Sequence, residues 1–198
     1  MAQIRALTID PSLRNWGMGR VLIDIDTRQV TVEELFLNKT EDDSGKVVRK
    51  NSDDLRRAKA LYDEMVRFSQ GCSIAFAEVP VGSQSARAMA SYGVCIGVLA
   101  GCPLPLIQVT PTEVKLAGFG YKHATKEEMI QWATEKHPEA NWLMKKRGGA
   151  LTPTNDNEHL ADAIGAVYAG IKTDQFRQAV AMLRSMGVAA AIPGNPSI

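Results

Sequence analysis

Apolar and polar residues alternate three times near the start of the chain, over residues 4–9, 17–23 and 30–37, with short connections at 11–16 and 24–28. Alternation at period two is the pattern of a half-buried strand. Connections this short join neighbours that run antiparallel, so the chain opens as a three-stranded meander. The period then changes. Leu55, Ala58, Tyr62, Met65 and Val66 form a stripe at helical spacing that Gly71 brings to an end. A short buried strand follows at 73–77, then a helix at 84–100 rich in small residues, then a fifth strand at 104–109. Strand, helix and strand in succession build parallel pairing. The order predicts an α/β layer architecture with a mixed five-stranded sheet, three antiparallel strands then two parallel, flanked by helices.

Two capping boxes mark the next helices. Thr110-Pro111-Thr112-Glu113 supplies an N-cap, a proline at the first helical position and a glutamate three residues after the cap, and Thr125-Lys126-Glu127-Glu128 repeats the logic before a helix that stops ahead of Pro138. Between them lies the glycine-flanked segment Gly118-Phe119-Gly120-Tyr121-Lys122-His123. Residues 40–52 read as a polar loop or hairpin extension, and 145–157 as a polar loop. The span 157–172 reads as a core helix turning Leu160, Ala163, Ile164 and Val167 inward. Past Thr173 a modest helix carries Phe176, Val180 and Leu183, and from Gly187 the composition is that of a flexible tail. The expected organisation is one domain over 1–172 and a C-terminal helix and tail over 173–198.

At 198 residues and 45% apolar composition the chain suits a single core. No stretch nears the roughly 20 apolar residues of a membrane span, and strand pattern begins by Ile4, so the expected setting is cytoplasmic, in a bacterium or in the host of a phage. The three cysteines, Cys72, Cys95 and Cys102, form no CxxC pair and read as small buried apolar residues. Net charge is only +1, so any affinity for nucleic acid depends on where the charges lie. Basic residues gather from Lys115 through Arg147, and acidic ones at 41–43 and 53–54, a segregation that by itself equally suits a plain solvated face.

Three acidic residues sit where an apolar element meets a loop. Asp10 closes the first strand, Glu78 closes the strand Ile74-Ala75-Phe76-Ala77, and Asp162 lies in the apolar run of the last core helix. Carboxylates from distant elements are how a chain assembles an oxygen-rich site for two hard cations, which activate water and stabilise the leaving oxygen in phosphodiester hydrolysis. His159 lies three residues and Glu158 four residues before Asp162, so all three share one helix edge. Plainer readings exist for most of them. Asp10 precedes Pro11-Ser12 and fits a turn, Glu78 fits an exposed strand end, and Glu158 fits a capping box opened by Asn155. Asp162 has the least excuse, because a buried unpaired carboxylate costs several kcal/mol.

Taken in order, Thr8-Ile9-Asp10-Pro11-Ser12, Trp16-Gly17-Met18-Gly19, Ile74-Ala75-Phe76-Ala77-Glu78 and His159-Leu160-Ala161-Asp162-Ala163-Ile164-Gly165 resemble the motifs of the RuvC family of Holliday junction resolvases. The likeness covers roughly residues 4–170. Thr110-Pro111-Thr112-Glu113-Val114-Lys115, with Lys126 beyond it, resembles that family's basic segment.

The resemblance implies a ribonuclease H-like fold and a Mg²⁺-dependent endonuclease, Mn²⁺ substituting, with two ions per site and no organic cofactor. It implies metal ligation by Asp10, Glu78, His159 and Asp162, with Glu158 the alternative fourth ligand. Lys115 and Lys126 become phosphate contacts, Lys126 within the catalytic set. Read from charge alone and not from the resemblance, Lys122, Lys145, Lys146 and Arg147 either extend the DNA track or stand in solvated loops. One position departs from the pattern. Val81 stands where many members carry an aromatic residue, so Phe119 or Tyr121 becomes the candidate for base stacking. The implied partners are four-way DNA junctions and a second copy of the chain, with the 84–100 helix as interface and no membrane.

A broader nuclease of forks and flaps, an RNA nuclease of the same fold, and a non-catalytic junction-binding protein remain as alternatives. The last predicts a missing acidic residue, and none is missing. An actin-like phosphotransferase also opens on a strand-end aspartate, but its two lobes need a longer chain.

Overall fold

The computed structural model describes residues 2–45 and 49–185. Strands β1 (Gln3–Asp10), β2 (Asn15–Asp24) and β3 (Val30–Lys39) form the antiparallel meander, and β4 (Ile74–Glu78) and β5 (Leu106–Val109) extend it in parallel, in the spatial order β3-β2-β1-β4-β5. The expected mixed five-stranded sheet is present. Its central strand, β1, is covered on both sides, and from Ala6 to Asp10 every residue of it is buried.

One face of the sheet turns Leu7, Ile9, Trp16 and Met18 toward α1 (Lys50–Phe68) and α2 (Ala86–Ala100), where Leu61, Met65, Phe68 and Leu99 meet them. The other turns Ile4, Ala6, Val21 and Phe76 toward α3 (Pro111–Gly118), α4 (Lys126–Lys136), α5 (Asn157–Gly170) and α6 (Asp174–Ser185). The Phe76 ring meets Phe176 of α6 at 5.8 Å between centroids with the planes tilted by 41°, so the C-terminal helix packs into the same core. Phe76→Ala would cost about 3–5 kcal/mol. The tail read from Gly187 onward lies outside the described residues. Among the described residues no helix is long and apolar enough to cross a membrane. Cys95 is buried and Cys72 and Cys102 are half-buried, and burial pushes the Cys95 thiol up to about 12.

Three local readings need correction. The buried face of α1 is Asp53, Asp54, Arg57, Leu61, Met65 and Phe68, whereas Leu55 is 71% exposed and Tyr62 42%. An apolar stripe misleads here because the inward charges are satisfied: Asp54 takes a hydrogen bond from Arg87 at 2.8 Å, and Arg57 donates to Thr40 Oγ1 at 2.9 Å and the Leu13 carbonyl at 3.1 Å. The supposed loop at 145–157 contains a hairpin of β6 (Met144–Arg147) and β7 (Ala150–Pro153), turned by Gly148 at φ 57° and Gly149 at φ 86°. Two adjacent positive φ values are what a two-residue type I′ turn requires. Finally, Asp156 occupies the N-cap of α5 with no side-chain cap bond, so Glu158 does not serve a capping box there.

Candidate active site

Because β1 and β4 are parallel neighbours with Ile9 opposite Ala77, their final residues, Asp10 and Glu78, emerge side by side at one sheet edge. Helix α5 is drawn down onto that edge. The Thr8 hydroxyl donates to the Ala163 carbonyl, and Gly17, opposite Asp10 in the antiparallel register, leaves room for the His159 carbonyl. A Cβ at position 17 would overlap that oxygen. Seated this way, the first turns of α5 bring Glu158, His159 and Asp162 to the two strand ends, and all five residues line one cleft of about 440 Å³.

Inside the cleft His159 Nδ1 is 2.7 Å from Asp10 Oδ2, and His159 Nε2 is 3.3 Å from Glu158 Oε1. Lys126, the first residue of α4, reaches across to within 2.7 Å of Glu158 Oε2. Burial raises the carboxyl of Asp10, with the His159 hydrogen bond opposing it. Glu78 is pushed up to about 9 by burial and by the charges of Asp10 and Asp162, and Asp162 to about 7 by burial and by Asp10. Burial lowers the His159 imidazole, but the Asp10 hydrogen bond and the surrounding carboxylates outweigh it and leave it raised.

The donor chemistry fits a hard divalent cation. Carboxylate oxygens are the ligands Mg²⁺ takes, and a cation would relieve the repulsion that holds Glu78 and Asp162 up. Among the described residues no three acidic, histidine or cysteine side chains already close around one point. The facing atoms of Asp10 and His159 are engaged with each other.

The other expected contacts divide. Lys115 on α3 is half-exposed, and its charge pulls down on both Glu78 and Asp162. Phe119, Tyr121 and Lys122 are exposed on the α3–α4 connection, with Tyr121 edge-on to His123 at 5.4 Å, and they do not line the cleft. Lys145, Lys146 and Arg147 are exposed along β6, also outside it. Val81 stands at the cleft wall and is 78% exposed. Ser12 and Tyr92 line the cleft too, and sequence reading missed both. The available signal was slight: Tyr92 is the one aromatic residue of α2.

An antiparallel meander continued by two parallel strands, with acidic side chains at the open ends of its central pair, is the arrangement of the ribonuclease H-like class. Solved structures bear out the fold. A Thermus thermophilus RuvC in complex with a Holliday junction substrate superposes with a TM-score of 0.61 at 18% identity, covering 94% of this chain and 98% of that one. A second T. thermophilus RuvC structure gives 0.57 at 19% identity over 93% and 98%. No family model matches the chain. The crossover junction endodeoxyribonuclease RuvC of Anaeromyxobacter sp. (strain Fw109-5) is 30% identical over 192 residues, which is 96% of this chain and 82% of that protein. The chain belongs to the RuvC family of crossover junction endodeoxyribonucleases.

Proposed function

We propose that the protein is a homodimeric, Mg²⁺-dependent endonuclease that recognises four-way DNA junctions and nicks two strands symmetrically, one in each subunit. The observation that carries this reading is the convergence of Asp10, Glu78, His159 and Asp162 on one cleft in a chain of this family. These four are the proposed ligands for two cations, which when bound supply an activated water and stabilise the leaving oxygen. Glu158, already paired with Lys126, is assigned to positioning that lysine rather than to the metals.

The remaining work falls to the chain's own cations. Lys126 swings from Glu158 to a phosphate oxygen as DNA enters, exchanging one charge-assisted bond for another. Lys115, beside Glu78 and Asp162, holds the backbone as a point charge and offsets negative charge as it builds. Lys122, Phe119 and Tyr121 contact the strand beyond the cleft, the aromatic rings by stacking on a base.

Two equivalent strands in a junction call for a two-fold dimer. Its proposed interface is the groove between α1 and α2, where Leu55, Ala58 and Tyr62 face Ala90, Val94 and Gly97. Small residues on α2 let a second copy approach closely.

Cleavage of a strand-labelled four-way junction, a fork and a linear duplex in Mg²⁺ tests the substrate class. Paired nicks at symmetric positions in the junction alone are expected. Equal cutting of the fork would replace this reading with a general nuclease of branched DNA.

A further inference from the structure

The β6–β7 hairpin stands apart from the main sheet. Directly opposed residues of an antiparallel pair share a face. Met144 with Pro153 and Lys146 with Leu151 lie on one side, and Lys145 with Thr152 and Arg147 with Ala150 on the other. One face therefore carries Lys145 and Arg147, while the other exposes Met144 at 46% and Leu151 at 63% with Lys146 between them. Among the described residues none of Lys145, Lys146 and Arg147 has an acidic partner.

An isolated two-stranded ribbon is marginal in water, and this one is held at its base. Wholly buried Asn157 accepts from the Leu143 N–H at 2.9 Å and donates to the carbonyls of Leu143 at 2.9 Å and Thr154 at 3.1 Å. The Thr154 N–H also donates to the Leu143 carbonyl at 2.9 Å. Asn157 is the first residue of α5, so the ribbon is clamped to the helix that carries His159 and Asp162. Its orientation is thereby coupled to the cleft.

Resting on the reading of a nuclease for branched DNA, we propose that this hairpin is a junction-reading arm. Lys145 and Arg147 hold the backbone phosphates of one duplex arm, and Met144 and Leu151 pack against the base pair laid open where the arms part. A two-stranded ribbon fits a major groove about 12 Å wide, and apolar side chains are what proteins press against unstacked base steps. Charge complementarity selects nucleic acid as the occupant. A second copy of the chain would bring the same three cations to a two-fold contact and repel.

The test compares metal-free binding of a four-way junction and a duplex of the same arm sequence by wild type, Met144→Ser/Leu151→Ser and Lys145→Ala/Arg147→Ala, each checked for cooperative melting and oligomeric state. The apolar pair should lower the junction-over-duplex affinity ratio by about tenfold, leaving duplex affinity unchanged. The cationic pair should weaken both ligands and reduce the salt slope by about two. A folded apolar variant with the wild-type ratio overturns the proposal. So does one whose oligomeric state changes, since the face would then belong to another copy. Wild-type protein that binds junction and duplex alike removes the branched-DNA reading, and the arm with it, before any variant is compared.

Discussion

His159 Nδ1 lies 2.7 Å from Asp10 Oδ2, bonding residues 149 positions apart in the chain. The first strand and the last core helix are thus tied at the point where the acidic side chains converge. The same imidazole stands 3.3 Å from Glu158, and Glu158 stands 2.7 Å from Lys126, so β1, α5 and α4 are linked by a line of alternating acidic and basic side chains across the cleft. Asp10 and Lys126 hold its two ends. Entry of a cation at one end and of phosphate at the other would each substitute for a contact already made.

Stability without metal should fall as pH rises. A carboxyl whose native pKa exceeds its unfolded value holds an extra proton in the native state, and stability is lost as that proton leaves. For Glu78 the window runs from 4.5 to about 9, and for Asp162 from 3.8 to about 7. His159, raised from 6.5, acts with the same sign, because its stabilising proton is lost as pH climbs through the native value. The slope is at most about 1.4 kcal/mol per pH unit for each group. Metal-free protein is expected to melt lower near pH 8.5 than near pH 5.5, and Mg²⁺ to raise Tm more at the higher pH. Calorimetry at both pH values, with and without Mg²⁺, checks this; a metal-free Tm that increases with pH would contradict it.

Gly17→Ala should loosen the site from a distance. The added Cβ overlaps the His159 carbonyl, so α5 must lift from β2, at a cost of about 1–3 kcal/mol. Thermal melting should drop accordingly and junction cleavage should fall further than stability alone explains. An unchanged melting temperature would mean that α5 does not bear on β2 at this point.

The scaffold was legible in the sequence because its cues are local: alternation in β1 to β3, and the capping boxes at Thr110 and Thr125, both present in the structure. Asp10, Glu78, His159 and Asp162 were legible as a set because each falls at the end of an element or on one helix edge. What stayed hidden depends on distant partners. Arg57 is buried because Thr40 and Leu13 satisfy it, and nothing near position 57 announces that. Lys126 was read as a phosphate contact, while its ion pair with Glu158 joins residues 32 apart. The β6–β7 ribbon escaped notice because its strands are only four residues long and Met144-Lys145-Lys146-Arg147 carries a single apolar residue, too little to show alternation.

Lys115→Ala should weaken junction binding uniformly across sequences and reduce the salt slope by about one. Because Lys115 also steadies Glu78 and Asp162, cleavage at saturating DNA should slow as well. Binding titrations over a range of salt read the first effect and single-turnover rates the second. A slope equal to that of wild type would remove Lys115 from the phosphate contacts.

Leu55→Glu should break the dimer. Leu55 is 71% exposed on the α1–α2 groove, and a carboxylate there meets its own symmetry mate or apolar surface. Light scattering should report monomer with an unchanged circular dichroism spectrum, and junction nicks should become unpaired. A variant that stays dimeric would move the interface elsewhere.

The central claim is that the Asp10 cleft performs the cutting. The most direct measurement is single-turnover cleavage of a four-way junction in Mg²⁺ by wild type and Asp10→Asn, with junction affinity measured on the same samples. The account predicts affinity within a few-fold of wild type and a cleavage rate lower by on the order of 100-fold or more. An Asn variant that binds and cuts at the wild-type rate would contradict it.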